Sequence, residues 1–181
     1  MRLADPLLAQ GLRVAVNLSP EAVASAEFRE LLPTLRTNLL LVEITEHAQV
    51  DDYDALAVLI TELRELGGRL AVDDVGAGFA SLQHILRLAP DEIKLDVGLT
   101  RGIDGDRARR ALAFGLVSFA NELGCSVVAE GIETREELDA LRSLGVSLGQ
   151  GYFLSPPAEP SEIDLSRPRR ILQSAGRKAT G

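Results

Sequence analysis

Six short apolar runs in this chain each close on a carboxylate or an amide. They read VAVN to Asn17, LLLVE to Glu43, RLAVDD to Asp73 and Asp74, EIKLD to Asp96, VVAE to Glu130 and SLGQ to Gln150. A buried parallel strand reads as a continuous apolar run, and its C-terminal end is where an α/β barrel exposes its chemistry. Carboxylates gathered at that one position repel each other unless a cation neutralises them. The pattern therefore points to a metal-assisted site at a barrel mouth. Asn17, Glu43, Asp73, Asp74 and Glu130 form a hard-oxygen ligand set that suits Mg²⁺ or Mn²⁺, whereas zinc usually brings histidine or cysteine. The adjacent acids Asp73 and Asp74 would let one carboxylate bridge two ions while its neighbour reaches the second, the arrangement used to hydrolyse phosphodiesters. Lys94, on the next strand, would stabilise negative charge on the phosphate or orient the attacking water.

Each residue also has a plainer reading. Asp96 suits a helix N-cap, and Glu133 suits a first-turn acid favoured by the helix dipole. Gly76-Ala77-Gly78 is weak as a phosphate cradle and better read as backbone freedom for a loop. His47 and His84 lack partner spacing and read as surface or structural residues. Cys125 reads as a small buried side chain. The agreement of five strand ends is what raises the set above its members.

Something must hold these ends together. Helical spacing of apolar residues predicts helices over Asp51 to Leu66, Ser81 to Leu88, Asp106 to Leu123 and Thr134 to Leu144. The last opens on a capping box, Thr134 with Glu137, and closes at Gly145. Strand and helix alternate, which predicts α/β units around a parallel sheet. A complete eight-unit barrel takes ~250 residues, so the 181 here predict a barrel short by about two strands on its N-terminal side. An open doubly wound sheet would instead gather its ligands at one switch point.

Composition narrows the class further. The formal charge is −8, with 46% hydrophobic and 25% charged residues, which fits a globular domain and argues against nonspecific DNA or RNA binding. No apolar run approaches the roughly 20 residues of a membrane span. Asp5 and Pro6 interrupt the apolar core that a signal peptide needs. The single Cys125 excludes an internal disulfide, and a cytoplasmic location is the expectation. Residues 1–165 read as one domain, and 166–181 as a basic, solvated tail with Arg167, Arg169, Arg170, Arg177 and Lys178.

VNLSP (16–20), EITE (43–46), DDVGAGFASL (73–82), IKLD (93–96), AEGIET (129–134) and QGYFLSPP (150–157) together resemble the successive signatures of the EAL domain. The resemblance implies a modified TIM barrel that hydrolyses cyclic di-GMP to linear pGpG with Mg²⁺ or Mn²⁺. It assigns Asn17, Glu43 and Asp73 to the metal site, with Asp73 bridging to a second ion held by Asp74 and Glu130. Lys94 then contacts the catalytic water, Glu133 and Gln150 support the metal site, and Glu46 anchors the loop after Asp74. Val75 and Ala77 depart from the family's aromatic and hydroxyl residues in that loop. The strand carrying the Glu-Ala-Leu signature, and the one before it, would lie upstream of Met1. The chain is accordingly expected to be a fragment or the product of a truncated gene, inactive alone.

Two other functions follow from the same residues. A catalytically silent module would bind cyclic di-GMP, or a partner protein, for regulation, as a homodimer or against a regulatory domain. An unrelated metal-dependent barrel would share the layout but not the six motifs. Lys94→Ala is expected to lower turnover without loss of stability.

Overall fold

Period-two alternation decides which way each strand faces. The computed structural model describes residues 5–45, 50, 52–76, 80–159 and 162. Its strands are β1 (Val14–Asn17), β2 (Leu40–Thr45), β3 (Arg69–Val75), β4 (Glu92–Leu95), β5 (Ser126–Ala129) and β6 (Leu148–Gly149). All neighbours pair in parallel and in sequence order, β1 to β6. A doubly wound sheet reverses its strand order at a switch point. This unreversed order is a half-barrel, as the strand count predicts. Among the described residues, β1 and β6 each have one unpaired edge.

The central strands are buried on both faces, as the reading as buried runs expects: 40–44 of β2, 70–73 of β3 and the whole of β4 are buried, although the two faces differ in chemistry. Leu40, Val42 and Ile44, Leu70 and Val72, Ile93 and Leu95, and Val127 and Ala129 are buried and alternate with the residues facing the other way. The first set packs against the helices on the convex side. Glu43, Arg69, Ala71, Asp73, Glu92 and Lys94 share the concave side, since parallel register pairs Glu43 with Ala71 and Ala71 with Glu92. Glu92 sits low on that face, bonded to Arg13 at 3.1 Å and Arg69 at 2.9 Å. Lys94, two residues on, sits at the upper end.

Helix α1 (Asp5–Ala9) precedes β1, and α2 (Pro20–Val23) and α3 (Ala26–Leu31) follow it. None of these three is predicted by the apolar periodicity, because each spans fewer than two full turns. Helix α4 (Tyr53–Glu65) starts later than expected: Asp52 is its N-cap, accepting from Asp54 N and Ala55 N, and Asp51 lies outside the described residues. Its Leu56, Ile60 and Leu63 are almost fully buried against β2 and β3, each contributing about 1.5–3 kcal/mol. Helix α5 (Ala80–Leu88) docks on α4 through Tyr53 Oη and His84 Nδ1, 3.0 Å apart, with the Arg87 guanidinium over the tyrosine ring. A short α6 (Val97–Thr100) is capped by Asp96, whose Oδ2 accepts from Gly98 N at 2.7 Å, the plainer of its two readings. Helix α7 (Arg107–Glu122) has Asp106 as its N-cap and buries Ala113, Leu116, Val117 and Ala120.

Helix α8 (Arg135–Ser143) begins with the predicted capping box. Burial pushes the Glu137 carboxyl up, but backbone N–H donors from Gly102, Glu133 and Thr134 outweigh it and hold the group below its ordinary value. Its stabilisation is therefore complete above the unfolded-state value of about 4.3 and is lost as pH falls through the lower folded value. The melting-temperature gap between the natural protein and Glu137→Gln is expected to narrow as the solution is acidified below about pH 4. A gap that stays constant down to the acid unfolding transition would contradict this account.

Candidate metal centre

Carboxylates on β2, on β3 and just after β5 converge on the lysine of β4. Lys94 Nζ lies 3.0 Å from Glu43 Oε2, 3.0 Å from Asp73 Oδ1 and 2.7 Å from Glu130 Oε1. Its side chain is buried, as are those of Glu43 and Asp73. Burial alone would lower the lysine's pKa; hydrogen bonds to Glu130, Glu43 and Asp73 overcome that and raise it, so the group is an ammonium. Burial also raises Glu43 and Glu130 above the usual carboxylate range, with Lys94 pulling both back. One ammonium cannot neutralise four neighbouring carboxylates, and a site with this surplus negative charge favours a further cation.

The fourth carboxylate arrives through a break in the ladder. Adjacent strand residues ordinarily face opposite sides, which would part Asp73 from Asp74. Here the register shifts between Val72 and Val75, and Asp74 takes a left-handed backbone with φ of 60°. Such a conformation costs a non-glycine residue roughly 1–2 kcal/mol; a hydrogen bond from Asp74 N to Asp73 Oδ1 at 3.0 Å offsets part of it. As a result, carboxylate oxygens of Asp73, Asp74 and Glu130 lie within 4.8 Å of one another. Gly76 follows with φ of 129°, a backbone that a side chain would strain. Three hard oxygens at this spacing fit a divalent ion such as Mg²⁺ or Mn²⁺.

The remaining predicted residues are less uniform. Asn17 pairs in register with Glu43 on the edge strand, and its side chain is exposed. Glu43 itself is not the end of its run, because β2 continues through Ile44 and Thr45. Gln150 Nε2 donates to Glu130 Oε1 at 2.5 Å. Glu133 does not join the cluster; it is exposed and ion-paired with Arg101. Glu46 and His47 lie outside the described residues, as does the tail from Ser166. His84 is buried and bonded to Tyr53, in keeping with a structural role. Cys125 is buried, and burial pushes its thiol up to about 11, which keeps it protonated and unreactive at neutral pH.

Two residues at this end escape the sequence reading. Arg101 carries no spacing signal and is placed only by the turn after α6. Glu137 is visible as a cap, but its second carboxylate oxygen reaches Gly102, 35 positions away in the chain, and no local pattern announces that.

Residues 2–157 match the family model described as EAL domain. A cyclic di-GMP phosphodiesterase of Pseudomonas aeruginosa is 33% identical over 159 residues, covering 84% of this chain and 27% of its own length. The cyclic di-GMP phosphodiesterase NbdA of the same organism is 36% identical, with 81% and 19% covered. The chain thus spans about a quarter or less of these curated relatives. Among solved structures, the manganese/cy-diGMP complex of Klebsiella pneumoniae BlrP1 superimposes with a TM-score of 0.77 at 34% identity, covering 86% of this chain and 42% of that one. The cyclic di-GMP complex of the MucR phosphodiesterase gives 0.76 at 31% identity, covering 88% and 68%. No helix among the described residues is long and apolar enough to cross a membrane.

Proposed function

The chain belongs to the EAL domain family, and from that premise we propose that it is the catalytic part of a metal-dependent phosphodiesterase that opens cyclic di-GMP to linear pGpG. The observation that supports this most directly is the placement of the Asp73, Asp74 and Glu130 carboxylates within 4.8 Å of one another, beside the Lys94 ammonium. Glu43 and Asn17 stand on the neighbouring strands and would complete the ligand set for Mg²⁺ or Mn²⁺. Such an ion supplies an acidified water and positive charge against the phosphoryl oxygens. Hydrolysis adds a water across one phosphodiester: a new P–O bond forms, the bond from phosphorus to one 3′ oxygen breaks, and that departing oxygen takes the proton to become a hydroxyl.

The chain's own residues have distinct parts in this. Lys94, held as an ammonium, cannot accept a proton; it would donate to the water or the developing phosphorane charge by exchanging one of its three carboxylate bonds. Gln150 fixes the orientation of Glu130 by donating to its Oε1. Glu133, exposed and paired with Arg101, is assigned a supporting part by the family resemblance alone. Glu46 is assigned to the loop after Asp74 by the family resemblance alone.

Isothermal titration with cyclic di-GMP tests the proposal, using Ca²⁺ as a non-catalytic substitute and Mg²⁺ or Mn²⁺ for turnover. Binding should require a divalent ion and disappear with EDTA. Absence of binding with every ion would overturn the reading. The unpaired edge of β1 and the exposed Asn17 beside it favour a second outcome for residues 1–181 alone, in which cyclic di-GMP is bound and not hydrolysed.

A further inference from the structure

The segment from Glu130 to Thr134 has no regular secondary structure, so its backbone donors must find partners elsewhere. Glu130 N donates to Leu95 O at 3.2 Å and Ile132 N to Gln150 O at 3.1 Å. The donors of Glu133 and Thr134 both go to one side-chain atom, Glu137 Oε2, at 2.9 and 3.0 Å. The other oxygen of that carboxylate, Oε1, accepts from Gly102 N at 2.8 Å. Gly102 lies just past α6, the helix that follows the Lys94 strand. A single carboxylate, only 4% exposed, thus joins the segment after Glu130 to the turn after Lys94.

Packing leaves this segment little freedom to find another support. A Cβ on Gly131 would meet Val97 Cγ2 at 2.3 Å, and one on Gly151 would meet Ile132 N at 2.2 Å. The segment is therefore wedged between the first residue of α6 and the turn after β6. The Glu137 carboxylate serves the last two donors of the segment, Glu133 N and Thr134 N. Helix capping explains only the bond to Thr134 N and the return bond from Glu137 N to Thr134 Oγ1, 3.2 Å. It does not explain the bonds to Glu133 N and Gly102 N.

We propose that Glu137 is a positioning residue for the metal centre, holding Glu130 against Lys94 by tying their two strand exits together. The inference rests on the reading of Glu130 as a metal ligand. Partners that orient metal ligands typically change affinity by about 10- to 100-fold when removed. Thr134→Ala removes the cap at the same helix but leaves the carboxylate, so it reports what a merely structural loss does.

The experiment compares the natural protein, Glu137→Ala, Glu137→Gln and Thr134→Ala by Mn²⁺ calorimetry and by amide hydrogen exchange at Gly102 and Glu133. Glu137→Ala is expected to bind Mn²⁺ about tenfold or more weakly and to lose protection at both amides. Thr134→Ala should lower the melting temperature while keeping Mn²⁺ affinity within about twofold, well below the positioning effect. Glu137→Gln retains one acceptor oxygen, so it should lose protection at one of the two amides even if the alanine variant does not fold. Equal losses of Mn²⁺ affinity in the Thr134 and Glu137 variants would overturn the proposal, as would unchanged protection in the Glu137 variants. If the natural protein itself binds no Mn²⁺, the metal reading fails. Loss of protection confined to the Glu137 variants would still show that this carboxylate holds the segment, and no such loss would sink the positioning role as well.

Discussion

Lys94→Ala is expected to lower turnover of cyclic di-GMP by about 10²- to 10³-fold, the usual cost of removing one donor aimed at a developing oxyanion. Turnover should be measured in the longest natural form of the protein that is active. The same substitution is expected to destabilise the metal-free protein, which departs from the expectation of unchanged stability drawn from the sequence. The reason is burial. Lys94 lies within 3.0 Å of three carboxylates, two of them in side chains that are about as buried as its own. Removing one partner of a buried ion pair costs about 3–5 kcal/mol, which corresponds to roughly 10 °C or more in a domain of this size. Saturating Mn²⁺ should restore most of the melting temperature to the alanine variant and none of its turnover. Loss of turnover with no change in metal-free stability would show that the three carboxylates are protonated or hydrated instead. Equal recovery of both by Mn²⁺ would make Lys94 structural.

The second large effect concerns residues 1–181 expressed by themselves. They should show little or no hydrolysis of cyclic di-GMP and should associate or lose stability. Among the described residues nothing pairs with the outer edge of β1. That edge presents unsatisfied backbone donors and acceptors to any other chain. Asn17, one of the predicted ligands, stands on this strand with its side chain exposed among the described residues, which would leave that side of the candidate site open. Size-exclusion chromatography alongside an assay with Mg²⁺ and Mn²⁺ reads both parts. A stable monomer with robust turnover would mean that the site is complete without a neighbour to β1. Dimers joined at the edge would instead place a second copy of this chain there.

Much of the site was legible because its signal is local. A strand reads from a few consecutive residues, and the acid at its end needs no knowledge of the rest of the chain. Asn17, Glu43, Asp73, Asp74, Glu130 and Gln150 were all singled out as candidates in that way. The cap at Thr134 was found in the same way, since a cap bonds residues two or three positions on, whereas Asp106 was read only as the start of its helix. The alternation of Leu70 and Val72 with Ala71 and Asp73 was also in the sequence, and both faces of this strand are buried.

What the sequence alone determined, then, is the order of the six strands and the four longer helices, the acids near the strand ends and the hard-oxygen chemistry they favour. Tertiary structure decided which of those acids meet. Sequence spacing does not encode the bulge between Val72 and Val75, and without it Asp73 and Asp74 would face opposite sides of the sheet. It does not place Glu133 with Arg101, outside the carboxylate group. Nor does it show the Lys94 ammonium buried among acids on β2, on β3 and just after β5, or Glu137 bridging to Gly102. Each of these depends on parallel register and on contacts between residues tens of positions apart. Burial and desolvation then set the charge states there, and both are properties of the folded surroundings rather than of any residue alone.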